Sequence, residues 1–182
     1  MSDAPALQPA FEQALASPLQ QALACVRVSA EDFDLGAEVA ALRAGDAQVG
    51  AVASFVGTVR EWCADPAATM TLEHYPGMTE RSLAELIVRA RQRFDVRGVR
   101  IVHRVGPLRV TDQIVLVAVT SAHRHEAFHC AEFLMDWLKT QAPFWKREAA
   151  QGEARWVAAR DSDTAAAARW QAPDAPTPGG RP

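Results

Sequence analysis

Residues 114–149 read IVLVAVTSAHRHEAFHCAEFLMDWLKTQAPFWKREA, and the pattern within this stretch changes twice. Ile114 to Thr120 is an unbroken apolar run, the mark of a strand central in a sheet. From His123 to Gln141 the apolar residues Ala127, Ala131, Leu134 and Leu138 recur every three or four positions, which predicts a helix with that face inward. Pro143 cannot continue a helix, and Phe144 to Ala149 returns to strand chemistry. A strand, a helix and a strand in direct succession, set among further strands, make the class α+β.

The rest of the chain extends this alternation in both directions. Upstream, Val99–Val105 is a strand broken by Gly106-Pro107. Thr79 opens a helix carrying Leu83, Leu86, Ile87, Ala90 and Phe94. Met70–Tyr75 is a strand closed by Pro76-Gly77, and a polar loop from Glu61 to Thr69 separates it from the β-rich run Gly50–Arg60. Asp34 caps a helix bearing Leu35, Val39 and Leu42, with Gly45 past its end, and Cys25–Val28 is a short strand. Downstream, Arg155–Ala158 pairs back across a turn at Gly152, and Asp163–Trp170 is a last short helix. Residues 1–24, broken by Pro5, Pro9 and Pro18, form a loosely ordered N-terminal extension. Residues 173–182, rich in Pro and Gly, form a disordered tail. One domain, 25–172, lies between them.

Composition narrows the function. With 49% apolar residues the chain can bury a real core, and a net charge of -3 argues against the basic face that nucleic acid requires. No window has the apolar length of a membrane span and no secretory signal opens the chain, so the cytoplasm is expected. The three cysteines Cys25, Cys63 and Cys130 show no CxxC spacing, which favours neither a disulfide framework nor a zinc site.

The chemistry-bearing residues gather around the third helix. His123-Arg124 stands at its start, where free N–H groups and the dipole favour anions. Lys139 stands near its end and Lys146 just beyond, across a Pro-containing turn that can bring both amines to one pocket. One amine then becomes a candidate base or nucleophile. The same spacing also fits two surface lysines beside a helix end. Arg60, at the end of a strand whose Gly57 admits a close neighbour, can grip a phosphate bidentately or point to solvent. His125 and His129, four apart on a helix, have zinc spacing but lack companion ligands. Cys63 fits an inert loop cysteine or a persulfide carrier, and Cys130 fits the core.

Four blocks carry more than spacing does: Phe55-Val56-Gly57-Thr58-Val59-Arg60, Leu72-Glu73-His74-Tyr75-Pro76-Gly77-Met78, Ser121-Ala122-His123-Arg124, and the fourteen residues Met135 to Glu148. In sequence and order they resemble the large, catalytic subunit family of molybdopterin synthase, over about Gly50 to Trp170. The resemblance implies an α/β-hammerhead fold, with a mixed or antiparallel sheet and flanking helices. It implies a homodimer within a heterotetramer, each copy binding a small ubiquitin-like sulfur-carrier subunit that ends in a Gly-Gly thiocarboxylate. The implied substrate is cyclic pyranopterin monophosphate (precursor Z), converted to the dithiolene of molybdopterin with no resident cofactor or metal. Carried over residue by residue, Lys139 and Lys146 match the family's two essential lysines. Arg60, His123 and Arg124 match its anion pocket, the His-Arg pair coming from across the dimer interface. Phe55, Met135, Glu148 and Arg160 match positions lining the pocket or its approach. The chain departs from the pattern in its longer N-terminal extension, in Trp62 and Cys63 where polar residues are usual, and in Thr111-Asp112-Gln113 where Gly-Asp-Glu is commoner. Three other functions fit parts of the pattern: a docking module without chemistry, a metal-binding protein using the histidines, and a persulfide sulfurtransferase using Cys63.

Overall fold

The structure, a computed structural model, describes residues 17–65, 67–150, 153–157 and 169–170. In chain order the elements are α1 (Pro18–Leu23), β1 (Val26–Ser29), α2 (Leu35–Arg43), β2 (Ala51–Thr58), β3 (Thr69–His74), α3 (Met78–Arg93), β4 (Gly98–Arg104), β5 (Gly106–Arg109), β6 (Gln113–Ser121), α4 (Arg124–Thr140), β7 (Phe144–Ala150) and β8 (Glu153–Val157). The expected α+β class is borne out, with the strands divided between two four-stranded sheets. The first has the order β1-β4-β6-β2 and the second β5-β3-β7-β8. The first sheet is mixed, since β1 runs parallel to β4 while β6 is antiparallel to both β4 and β2. The second is antiparallel throughout.

Two-residue periodicity explains how the first sheet is covered on both sides. Val99 and Ile101 of β4 and Val115, Val117 and Val119 of β6 face one way, into a core shared with Leu83, Ile87 and Ala90 of α3 and Cys130, Phe133 and Leu134 of α4. Val102, Leu116 and Ala118 face the other way, onto Phe33 and, on α2, Val39 and Leu42. Strand β6 is therefore central and buried on both faces, as its unbroken apolar run predicts. Each such Val or Leu contributes about 1.5–3 kcal/mol on leaving water. A third, smaller core of Val59, Met70, Leu72 and Leu108 belongs to the second sheet and is covered by Trp62 and Ile114.

The helix boundaries follow from their caps. The Asp34 carboxylate accepts from Ala37 N at 2.8 Å, as expected. The third helical segment begins earlier than Thr79 suggests: Gly77, at φ 80°, is its N-cap, and its N–H donates to Glu80 Oε2 at 2.6 Å. In α4 the buried stripe runs through Ala127, Cys130, Phe133, Leu134 and Trp137. It is rotated from the expected face, so that Ala131 and Leu138 are only partly covered. No helix among the described residues is long and apolar enough to cross a membrane.

Two expectations need correction. The stretch 1–24, read as a loose extension, contains a folded part. Ser17 and Gln20 close a capping box on α1, and Ala22 is fully buried in the main core; Pro18 at the first turn starts this helix rather than breaking it. Residues 1–16, the tail 173–182 and all but the end of the expected 163–170 helix lie outside the described residues. The second correction concerns Gly106-Pro107. At φ 83°, Gly106 turns the chain out of the first sheet and directly into β5, an edge strand of the second. Pro is tolerated there because an edge strand can spare an N–H. Four residues with one buried side chain are too short to show a strand period.

Candidate active site

A cavity of about 600 Å³ opens where the two sheets diverge beside the C-terminal end of α4. Helix α4 supplies Met135, Leu138 and Lys139 to one wall. Strand β7, resuming after Pro143, supplies Phe144, Lys146 and Glu148 to the wall opposite. Strand β2 and the segment after it bring Phe55, Arg60 and Trp62 to the rim. The Pro-containing turn thus does what its position suggests and places both amines on one concavity. They are also the only two lysines in the sequence, the other basic residues of the Lys and Arg set being arginines.

The two lysines differ in their surroundings. Lys146 Nζ lies 2.8 Å from Glu148 Oε1, and Arg155 Nη2 lies 3.2 Å from the other oxygen of the same carboxylate. Burial of Glu148 favours its protonated form, but hydrogen bonds and charge from Lys146 and Arg155 outweigh this and hold the carboxyl below the usual carboxylate range. Lys139 is exposed and has no ion-pair partner among the described residues. The arrangement offers one compensated cation, one open amine and, at Arg60, an exposed guanidinium. Such a site suits anionic reactants and can move a proton at Lys139.

Local sequence explains how the rim is built. Arg60 lies two residues beyond the end of β2, not at the strand end. Its neighbour Val59 is fixed by Thr111 N donating to Val59 O and by Val59 N donating to Asp112 O, both at 2.8 Å. Gly57 sits at a register irregularity, where a β-carbon would lie 2.9 Å from Val115 Cγ1 and 3.3 Å from Phe55 Cε1. The room that glycine leaves is taken by Val115 of β6 and by the Phe55 ring, which reaches forward along its own strand.

Of the residues picked out from sequence, Phe55, Arg60, Met135, Lys139, Lys146 and Glu148 line this one cavity. His123 and Arg124 do not. They cap and begin α4, and Arg124 stands fifteen residues before Lys139, roughly 23 Å along a helix axis. Arg160 lies outside the described residues. His125 and His129 are exposed, with ring centroids 4.0 Å apart, and no group of three or more metal-ligating side chains stands together among the described residues. Cys63 is half-buried beside the rim, and Cys130 is buried, its thiol pushed up to about 12 by burial first and by Glu126 second. The cavity also takes in Trp62, His103 and Phe144, to which sequence gave no role. Trp62 was visible as an aromatic in a polar loop. His103 looked like any residue of its strand.

Residues 28–141 match the family model described as MoaE protein. The chain is 58% identical over 146 residues to a molybdopterin synthase catalytic subunit of Ralstonia nicotianae, covering 80% of this chain and 83% of that one. The solved structure of molybdopterin cofactor biosynthesis protein E from Burkholderia multivorans is 54% identical, covers 82% of this chain and 97% of its own, and superposes with a TM-score of 0.70. A protein–protein complex of subunits 1 and 2 of molybdopterin-converting factor from Helicobacter pylori shares the fold at 18% identity, with a TM-score of 0.62 over 73% of this chain and 90% of that one.

Proposed function

The chain belongs to the MoaE family, the catalytic subunits of molybdopterin synthase, and from this we propose that it transfers sulfur from the C-terminal thiocarboxylate of a small ubiquitin-like subunit to precursor Z, forming the dithiolene of molybdopterin. The observation that carries the proposal is the convergence of Lys139 and Lys146 on one cavity with Arg60 at its rim. Both reactants are anions that repel each other in water, and fixed cations offset that repulsion where the two must meet.

In this reading the extended Gly-Gly tail enters beside Lys139. The thiocarboxylate sulfur forms a bond to a side-chain carbon of the pterin, and a carbon–oxygen bond at that carbon breaks, its oxygen leaving as water or staying on the phosphate. Water then cleaves the acyl–sulfur bond, leaving sulfur on the pterin and a carboxylate on the tail, and a second tail repeats the step. Lys139, without a carboxylate partner, orients the incoming tail and carries protons. Lys146, steadied by Glu148, holds charge on the pterin, and Arg60 grips its phosphate. His123 and Arg124 lie too far along α4 to serve the cavity of their own chain, which supports their delivery from a second copy in a homodimer, the centre of a heterotetramer. Phe55 and Met135 shape the apolar side of the cavity, and the family resemblance alone assigns Arg160 a part in binding. Sulfur arrives on the tail, so the scheme calls on no resident metal or organic cofactor and no chemistry at Cys63. The reading puts the reaction in the cytoplasm.

The test is to mix the chain with thiocarboxylated small subunit and precursor Z and assay the dithiolene product. Product formed in proportion to thiocarboxylate consumed is expected. No product from active reactants overturns the reading. Arg60→Ala should raise the KM for the pterin, and a change confined to kcat would remove the phosphate grip.

A further inference from the structure

Lys139 and Lys146 stand on different halves of the molecule. Lys139 rides α4, which packs on the first sheet, and Lys146 belongs to β7 of the second. Their relative position therefore depends on how the sheets are joined at the cavity. Besides the backbone turn at Gly106, a side-chain pair spans the join. His103, near the end of β4, lies face to face on Phe144, the first residue of β7, with ring centroids 3.7 Å apart and planes 14° apart. Both residues line the cavity. The segment before Phe144 is tied from the other side, where Thr79 Oγ1 donates to the Pro143 carbonyl at 3.3 Å.

The imidazole is itself fixed. It is 9% exposed, and its Nδ1 lies 2.8 Å from the Arg104 carbonyl, to which it donates, so the proton sits on that nitrogen. Burial drives the imidazolium pKa down, the bond to Arg104 opposes this, and the charges of Lys139 and His74 reinforce burial, for a value of about 4. The ring is thus neutral at pH 7 and adds no further positive charge beside Lys139.

We propose that His103 is a positioning residue of this site: stacked on Phe144, it sets where β7, and with it Lys146, stands relative to Lys139. The activity arm of the test rests on the sulfur-transfer reading; the labelling arm does not.

The test uses the full chain carrying His103→Phe, His103→Leu, Phe144→Leu, or His103→Leu with Phe144→Leu, each checked for thermal unfolding. With thiocarboxylated small subunit and precursor Z, His103→Leu should lower kcat about tenfold while changing the KM for the pterin less than about threefold, because misplacement costs the chemical step. His103→Phe, which keeps the stack, should stay within about threefold of the parent, and the double variant should be no slower than the slower single variant within about twofold, as expected for one coupled pair. Independently, competitive acetylation of the chain's two lysine amines, read by mass spectrometry, should shift the Lys139-to-Lys146 ratio at least about threefold in His103→Leu and leave it unshifted in His103→Phe. Unchanged kcat and ratio in His103→Leu, equal impairment in His103→Phe, or multiplying losses in the double variant each overturn the proposal. If the parent chain makes no dithiolene, the sulfur-transfer reading falls, and the acetylation ratio alone decides on His103. Should His103→Leu fail to fold, His103→Gln takes its place.

Discussion

The first sheet is sealed by helices on both faces, and its central strand β6 is buried from Val115 to Ser121. Among the described residues the second has a buried core on one side only. Met70, Leu72 and Leu108 face its small core, while Tyr75, Trp145 and Trp156 stand 61%, 41% and 59% exposed beside it. The Tyr75 and Trp145 rings meet edge to face at 5.0 Å, and Trp156 stands opposite Arg147 in the register. One sheet is a scaffold and the other a working surface. The two site lysines are divided between them, the open one on the helix braced by the scaffold and the compensated one on the working strand. Their difference teaches that a rigid backing can hold an uncompensated cation in place, while a more open sheet carries its cation with a counter-charge.

The contrast can be broken most directly at Lys139. Lys139→Ala should fold, bind the small subunit and lose on the order of 10³-fold in product formation, since the proposed proton carrier is removed; near-normal turnover would take Lys139 out of the mechanism. Next in size is the stability difference between the sheets. Leu116→Ala, fully buried between α2 and the first sheet, should cost about 2–5 kcal/mol in denaturant unfolding, whereas Trp156→Ala on the open face should cost less than about 1 kcal/mol. Equal costs would erase the distinction.

A third test lies at the join. His103 has a folded pKa of about 4, below the ordinary 6.5, so the unfolded chain binds its proton first. The stability this site contributes is complete above pH 6.5 and is lost as the pH falls toward 4. Between pH 7 and pH 4 the wild type should therefore lose on the order of 3 kcal/mol more unfolding free energy than His103→Phe. A pH-independent difference would contradict a buried neutral ring. Glu148→Gln, which strands Lys146 and Arg155 beside a buried amide, should cost about 1–3 kcal/mol, and it should weaken pterin binding less than Arg60→Ala does. The smallest expected effect concerns Thr111, at φ 76° the one non-glycine residue in the left-handed region among those described. Thr111→Gly should stabilise by about 1 kcal/mol, because a β-branched side chain is strained there. A loss of stability would show that its side chain makes a compensating contact.

What sequence revealed follows the same division. Strand β6 and the long helices were legible because burial on a fixed period leaves a strong local signal. Strand β5 was not, since its identity depends on pairing with β3 and its four residues bury only Leu108. The folded turn of α1 was hidden by its neighbouring prolines. In the site, Lys139, Lys146 and Arg60 were found as charged residues near breaks in structure, and the family blocks added Phe55, Met135 and Glu148. His103 stayed invisible because its meaning comes from Phe144, far along the chain and in the other sheet. The distance of His123 and Arg124 from the cavity follows from the unbroken length of α4, which separates them from Lys139.

The scarcity of lysine carries its own lesson. With arginine serving as every other cation of the Lys and Arg set, the chain offers no lysine amine outside the cavity on which an activated carboxyl could be lost as an isopeptide. An acyl group that ends on a lysine of this protein ends at the cavity. The same economy has a laboratory cost: amine coupling or aldehyde fixation that reaches a lysine side chain reaches the cavity.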